Sequence, residues 1–186
     1  GNTISANTWE WSIPTWRQIG TDISLSANAS VSNTQLSRLS DETLIASFMA
    51  STGTSPKSFH VQTQVDGSWT DLTESIEITS IESDRVNFFG QNTNDMVATW
   101  RSNSGVEVRR WNGAQWLVLN PTGVFQGVHV DPAATITSDG VLYVVADAGT
   151  DCTAIRVASH DGSSWSILGD GPHPSVECPN GSPAVA

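Results

Sequence analysis

Three tryptophans are the candidate residues for direct ligand contacts in this sequence. A flat indole face stacks on the C–H face of a sugar ring much as it attracts a cation. Trp9 and Trp11 lie two residues apart and therefore share one face if the segment is a strand. Trp111 also has polar neighbours, and all three stand outside the tryptophan repeat described below. Trp9, Trp11 and Trp111 are therefore the candidates for stacking on a sugar ring; core packing is the alternative.

The acidic residues offer a second candidate site. The segment Asp147-Ala-Gly-Thr-Asp151 could present carboxylate oxygens to Ca²⁺, which tolerates loop geometry. The segment departs from the Asp-x-Asp-x-Asp-Gly pattern of dedicated calcium loops. The histidines, at positions 60, 129, 160 and 173, lack the spacing of a zinc or copper pair. The expectation is therefore no cofactor, with Ca²⁺ at Asp147 and Asp151 as the alternative.

No motif in the chain predicts catalysis. The sequence contains neither Gly-x-Ser-x-Gly nor a phosphate-binding glycine loop. A glycosidase needs two carboxylates at a defined separation, and no spacing among the 19 acidic residues selects such a pair. We therefore predict no catalytic residue and favour a non-enzymatic role.

Charge and composition exclude several classes of partner. The 186 residues include 19 acidic and 8 basic side chains, for a net charge of −11. This balance disfavours contact with a nucleic-acid backbone or an anionic membrane surface. No apolar run is long enough to cross a bilayer as a helix, so we expect no membrane insertion.

Two cysteines bear on the cellular compartment. Cys152 and Cys178 lie in segments rich in Gly, Pro and Asp, where a disulfide is favoured over a buried thiol. Free core thiols are the alternative. A disulfide predicts a secreted or cell-surface protein, and a chain that begins at Gly1 instead of Met adds the expectation of processing during export.

A sequence motif recurs through the chain: a turn, then a tryptophan, then a run of alternating apolar and polar residues. It reads Asp66-Gly-Ser-Trp69, Asn112-Gly-Ala-Gln-Trp116 and Asp161-Gly-Ser-Ser-Trp165, with a degenerate copy at Trp16. The four tryptophans are spaced 53, 47 and 49 residues apart, and one large aromatic per repeat is expected to anchor the core. The approximate repeats are 1–20, 21–73, 74–120, 121–169 and 170–186, all within a single domain of residues 1–186.

Each complete repeat contains four short alternating segments, which predict four antiparallel strands. The predicted strands lie at 35–39, 44–49, 59–64 and 69–72; at 85–89, 96–100, 106–111 and 115–119; and at 133–137, 142–146, 154–159 and 164–168. The Asp-Gly or Asn-Gly pair before Trp69, Trp116 and Trp165 predicts a type I′ hairpin, which requires positive φ at both central residues. No segment shows the 3.6-residue periodicity of a helix.

This layout resembles the tryptophan-anchored repeats of secreted and surface β-propellers, as in kelch, galactose-oxidase-like and sialidase-like blades. The resemblance covers nearly the whole chain. The Gly-Gly pair of kelch blades is missing, and the segment from Ser159 to Trp165 is one residue short of a sialidase Asp-box. The resemblance implies an all-β fold of blades of about fifty residues. Three complete four-stranded antiparallel blades and a split terminal blade are expected.

The two ends of the chain are expected to share one incomplete blade. The 21 residues after Trp165 and the 16 up to and including Trp16 give 37 residues, against a repeat of 47 to 53. An unpaired edge strand invites pairing with another chain, so we expect self-association or additional blades.

These features predict an extracellular binding or scaffold module whose partner is a glycan or another extracellular protein. One alternative is a fragment of a glycan-active hydrolase or lyase propeller. The other is a structural subunit of a surface filament or coat.

Overall fold

The computed structural model of the chain describes residues 5–12, 15–24, 29–53, 56–79, 85–121, 123–125, 131–148 and 154–172. Within these ranges the chain forms fifteen β-strands and no helix, so none that could cross a membrane. Ser, Thr and Asn disfavour helix because their side chains compete for backbone hydrogen bonds. The chain divides into two compact units, Gly1–Thr79 and Ser80–Ala186.

The first unit begins with a two-stranded hairpin. Strand β1 (Ser5–Ser12) pairs antiparallel with β2 (Thr15–Ser24), and Trp11 lies opposite Trp16 in this register. A bulge between Ala6 and Thr8 shifts the register. The hairpin gives the N-terminal repeat two strands of its own.

The rest of the first unit is one antiparallel sheet in the order β3-β4-β5-β6. Its strands are β3 (Ala29–Arg38), β4 (Leu44–Thr52), β5 (Lys57–Val65), β6 (Ser68–Asp71) and β7 (Ile76–Ile78). Strands β6 and β7 both pair with β5, one along each half of its length. The fourth strand of this sheet is therefore interrupted, with the break at residues 72–75.

Strand β4 is the centre of the first unit's core. Its residues 45–50 are all buried, so that both faces of the sheet are covered. Phe48 and Ala50 on one face pack with Ile23 of β2, while Ile45 and Met49 occupy the other face. Burying each of the larger side chains in this set contributes about 1.5–3 kcal/mol. Because both faces of β4 are covered, its residues 45–50 are apolar at every position except Ser47.

The second unit contains two four-stranded antiparallel sheets. The first has the order β11-β10-β9-β8. Its strands are β8 (Val86–Asn92), β9 (Asp95–Ser102), β10 (Gly105–Trp111) and β11 (Trp116–Val118). The other has the order β12-β13-β14-β15, with strands β12 (Ala133–Ile136), β13 (Leu142–Ala148), β14 (Ala154–His160) and β15 (Trp165–Pro172).

The two sheets of the second unit share one hydrophobic core. Val97, Val106 and Val108 of the first sheet meet residues of β12, β13 and β14, and Phe125 completes the cluster. The partners in the second sheet are Ile136, Leu142, Val144, Ala146 and Ala158. Period-two alternation places these side chains on facing surfaces.

The hairpin turns only partly follow the sequence expectation. Asp66 and Gly67 have φ of 49° and 78° between the paired residues Val65 and Ser68, as a type I′ turn requires. The corresponding motifs before Trp116 and Trp165 form four-residue loops instead, at 112–115 and 161–164. There the carboxamide of Asn112 and the carboxylate of Asp161 accept backbone N–H groups two and three residues ahead. The prediction of type I′ turns at these two positions is wrong, because a side-chain cap replaces the tight turn.

The predicted all-β architecture is confirmed. All twelve predicted strands are present with boundary differences of a few residues, and they form three four-stranded antiparallel sheets. Strands β1, β2 and β7 were not among those twelve. The arrangement of the sheets as propeller blades, the single domain of residues 1–186 and the split terminal blade stay predictions.

Candidate functional site

The anchoring tryptophans occupy equivalent places in the three sheets. Trp69 is the second residue of β6, and Trp116 and Trp165 are the first residues of β11 and β15. Each therefore begins the fourth strand of its sheet and is partly buried. Trp16 lies on β2, opposite Trp11, and its side chain is outside the described part of the structure.

Trp165 has the most clearly defined contacts of the anchoring residues. Its ring packs against the core of the second unit, and its Nε1–H donates to the carbonyl of Leu119 at 2.7 Å. The ring also meets His160 edge-on, with centroids 5.1 Å apart. Trp69 packs against the core of the first unit. These contacts support the structural role proposed for this set of tryptophans.

Trp111 is a core residue, which corrects the expectation of a sugar-stacking surface there. Its side chain is only 6% exposed, and its Nε1–H donates to the carbonyl of Thr93 at 3.1 Å. It packs beside Trp116 with ring centroids 5.6 Å apart. On β10 its side chain shares a face with the fully buried Met96 of β9. A ring covered in this way cannot stack on a ligand.

The other sequence candidates are not tested by the structure. Trp9 and Trp11 lie on β1, and Asp147 lies on β13 opposite Ile155, but their side chains are not described. Asp151, Cys152 and Cys178 lie outside the described residues. The described part of the chain contains no group of three or more His, Cys, Asp or Glu side chains that could hold a metal ion. The calcium site and the disulfide stay predictions.

The second unit contains a solvent-open cavity of about 340 Å³. It lies where the β8–β9 and β10–β11 turns and strand β11 meet the β14–β15 turn of the neighbouring sheet. Polar side chains of Asn94, Asp95, Arg110 and Asn112 line it, together with His160 and Gly162. Leu117 and Leu119 supply an apolar wall. Small-molecule sites combine an apolar lining with a few convergent polar groups in this way.

A partly buried ion pair lines the cavity. Arg110 donates from Nε and Nη2 to the two carboxylate oxygens of Asp95, both at 2.8 Å. The side chains are only 18% and 20% exposed, so the pair is largely shielded from solvent. Nη2 is also 3.6 Å from the position that a Cβ on Gly140 would take, so the β12–β13 turn closely approaches the guanidinium. A two-point contact of this kind fixes the orientation of both side chains.

The two amide side chains of the cavity both contact the β10–β11 turn. Asn112 caps the loop between β10 and β11 by accepting the backbone N–H groups of Ala114 and Gln115. Asn94 approaches Gly113 so closely that a Cβ on residue 113 would lie 2.8 Å from Oδ1 of Asn94. Gly113 has a φ of +89°, which an L side chain rarely adopts. The glycine thus allows the two turns to meet at the rim of the cavity.

His160 is a neutral hydrogen-bonding group at neutral pH. Its side chain is 6% exposed, and the backbone N–H of Gly162 donates to its Nδ1 at 3.1 Å. Burial lowers the pKa of His160 below its usual 6.5, a nearby Asp161 opposes the shift, and Arg110 adds to it. With Nδ1 accepting a bond, the proton of the neutral ring is on Nε2.

Asp161 stabilises the loop beside this histidine. Its carboxylate accepts the backbone N–H groups of Ser163 and Ser164 and the hydroxyl of Ser163. These bonds, with that of Ser164 the largest contribution, lower the pKa of Asp161 from 3.8 to about 2. The loop that carries Gly162 into the cavity is therefore maintained by a charged cap.

A second polar group lies on β5 in the first unit. Ser58 Oγ and His60 Nε2 are 2.7 Å apart, and the imidazole stacks on Phe48 with centroids 5.2 Å apart. Burial lowers the pKa of His60, and Asp71 opposes that shift. A serine–histidine nucleophile needs a third group that orients the histidine. Asp71 accepts a bond from Gln62 instead, so the described contacts do not form a triad.

The cavity residues were not singled out in the sequence as functional. Arg110 and Asp95 are fifteen positions apart, and neither belongs to a known motif. The only sequence signal was the Asn-Gly and Asp-Gly turns, which predicted hairpins and no binding site. Because the cavity is formed where turns of two sheets meet, the packing of those sheets had to be known first.

Comparisons with known proteins identify no family for this chain. No protein-family description and no curated protein sequence matches it. A solved structure of a polysaccharide lyase of family PL25, an ulvan lyase bound to -[GlcA(1-4)Rha3S]-, is similar at 14% sequence identity and a TM-score of 0.45. The match covers 84% of this chain and 46% of the lyase, so this chain spans less than half of that protein's length. Similarity at this level establishes no function.

Proposed function

We propose that the chain is an extracellular, non-catalytic module that binds a glycan, with the cavity of the second unit as its binding site. The observation that carries the proposal is the lining of that cavity. The Arg110–Asp95 pair and two amide side chains, of Asn94 and Asn112, line the cavity together with the apolar side chains of Leu117 and Leu119.

A sugar residue matches this combination of groups. Its hydroxyl groups both donate and accept hydrogen bonds. In the cavity the guanidinium donates, the carboxylate accepts and the amides do both. Its C–H surface is suited to an apolar wall such as that of Leu117 and Leu119. The volume of about 340 Å³ is at the small end for ligand sites and favours a short segment of a glycan.

The proposed compartment and partners follow from the sequence. The candidate Cys152–Cys178 bridge favours secretion or display at a cell surface. The net charge of −11 disfavours nucleic acid. A glycan or an extracellular protein is the proposed partner, and self-association through an unpaired blade edge remains part of the proposal.

A glycan array followed by calorimetric titration of the full chain tests this proposal. Asn94→Ala removes a cavity amide and should weaken binding of the selected glycan about tenfold, as expected for the loss of one or two hydrogen bonds. Asn103→Ala is the matched control, because Asn103 lies in the turn at the opposite end of β9 and does not line the cavity.

Three results would contradict the proposal. If no array glycan binds in titrations up to millimolar concentration, the module does not recognise sugars. If a bound glycan is shortened during incubation, the chain is an enzyme. Equal weakening by the variants at Asn94 and Asn103 would place the binding site elsewhere.

A further inference from the structure

The ionisable groups of the cavity balance one another. Three side chains in its lining can carry charge: Asp95, Arg110 and His160. The positive guanidinium of Arg110 is matched by the carboxylate of Asp95, and the imidazole is neutral at neutral pH. A ligand that enters the cavity therefore meets no excess positive charge.

The geometry of the pair keeps Arg110 from acting as an anion receptor. Arginine recognises a carboxylate or sulfate through two parallel N–H donors. Asp95 already occupies Nε and Nη2, both at 2.8 Å. An incoming anion would have to displace Asp95, which would leave a mostly buried carboxylate without its partner, or else bind close to that negative charge.

The rest of the chain adds to this discrimination. Asp161 flanks the cavity in the loop beside His160, and the net charge of −11 creates a negative field around the molecule. Such a field lowers the local concentration of anionic ligands. A neutral hydroxyl group is unaffected by the field, and it can bind the guanidinium donors that Asp95 does not use, since the pair occupies two of five.

We infer that the cavity selects neutral, hydroxyl-rich sugar residues over uronic acids and sulfated sugars, and that Asp95 determines this selectivity by neutralising the charge of Arg110 and occupying two of its donors. The inference rests on the proposed glycan-binding function. It assigns Asp95 a specificity role, while the amides and the apolar wall supply contacts common to both classes of sugar.

The test compares matched pairs of oligosaccharides that differ only at C6, such as glucose and glucuronate or galactose and galacturonate units. Dissociation constants are measured by calorimetry at fixed ionic strength for the unmodified chain. The neutral member should bind at least about tenfold more tightly. This comparison needs no variant, so it stands even if a substitution prevents folding.

The variant Asp95→Asn should reverse the preference. It removes the competing charge and leaves the guanidinium free to pair with a ligand carboxylate, so the uronate member should bind about tenfold more tightly than the neutral one. Binding of uronate to this variant should weaken as salt is added, because the new contact is between charges. Asp66→Asn is the matched control: it makes the same change in net charge at a turn of the first unit, and asparagine tolerates the positive φ there.

The outcomes separate the inference from the proposed function. If neither member of any pair binds, the glycan-binding function itself is wrong. If the unmodified chain binds uronates as well as or better than neutral sugars, glycan binding stands and the selectivity is overturned. If Asp95→Asn folds but gains no uronate binding, or if Asp66→Asn gains as much, Asp95 is not the determinant.

Discussion

Replacing Trp165 with alanine removes both a packed ring and a hydrogen bond that joins the two sheets of the second unit. Loss of a core tryptophan costs about 3–5 kcal/mol. Trp165 is only partly buried, so its packing contribution belongs at the lower end of that range. The Nε1–H bond to the Leu119 carbonyl contributes about 1 kcal/mol more. We expect Trp165→Ala to lower the free energy of unfolding by about 3–4 kcal/mol.

Three further variants test the two parts of this estimate. Trp165→Phe keeps most of the packing but leaves the Leu119 carbonyl without its donor, so about 1–2 kcal/mol should be lost. Trp69→Phe should cost less, because the buried Nε1 of Trp69 has no hydrogen-bond partner within the described residues. Ile167→Ala, at a half-exposed position on the same strand as Trp165, should change stability by no more than about 0.5 kcal/mol.

Urea unfolding followed by far-ultraviolet circular dichroism measures these values, because the remaining tryptophans complicate fluorescence. The reasoning would be refuted if Trp165→Ala cost no more than Ile167→Ala. It would be refuted in part if Trp69→Phe and Trp165→Phe cost the same, since the bond to Leu119 would then contribute nothing.

Three other predictions concern the turns and the cysteines. Gly113→Ala should lower the free energy of unfolding by about 1–2 kcal/mol, because alanine is strained at a positive φ. The loss should exceed that of Gly162→Ala, since only a Cβ at position 113 meets Asn94. Equal losses in urea unfolding would show that this contact is unimportant. The carboxylate of Asp161 stabilises the folded state at pH values above its unfolded pKa of 3.8, and this contribution is lost as the pH falls towards about 2. Over that pH range, the unfolding free energy of Asp161→Asn should therefore fall less steeply than that of the unmodified chain. Identical slopes for the two proteins would contradict the role of Asp161 as a cap. Cys152 and Cys178 should give no reactive thiol under denaturing, non-reducing conditions, whereas two thiols would exclude the disulfide and weaken the case for secretion.

The sequence by itself determined the strands and their order. Period-two alternation with β-branched and aromatic residues is a local property of the chain. It located twelve of the thirteen strands in the three sheets, with a boundary error of six residues at β3 and of four or fewer elsewhere, and it missed β7. The recurring tryptophan placed Trp69, Trp116 and Trp165 at the start of the fourth strands. Backbone sterics and short-range patterns are sufficient for these features, so no tertiary information was needed.

The tertiary structure alone decided which of these residues are accessible and which lie together. Trp111 was interpreted as exposed because its neighbours in sequence are polar, but both faces of its sheet contain buried residues, and alternation cannot distinguish a covered face from an open one. The turn types at 112–115 and 161–164 are a local exception, because side-chain caps within each loop replaced the tight turn. The Arg110–Asp95 pair and the cavity depend on strand register and on how one sheet packs against the next, and those long-range contacts leave no local pattern in the sequence.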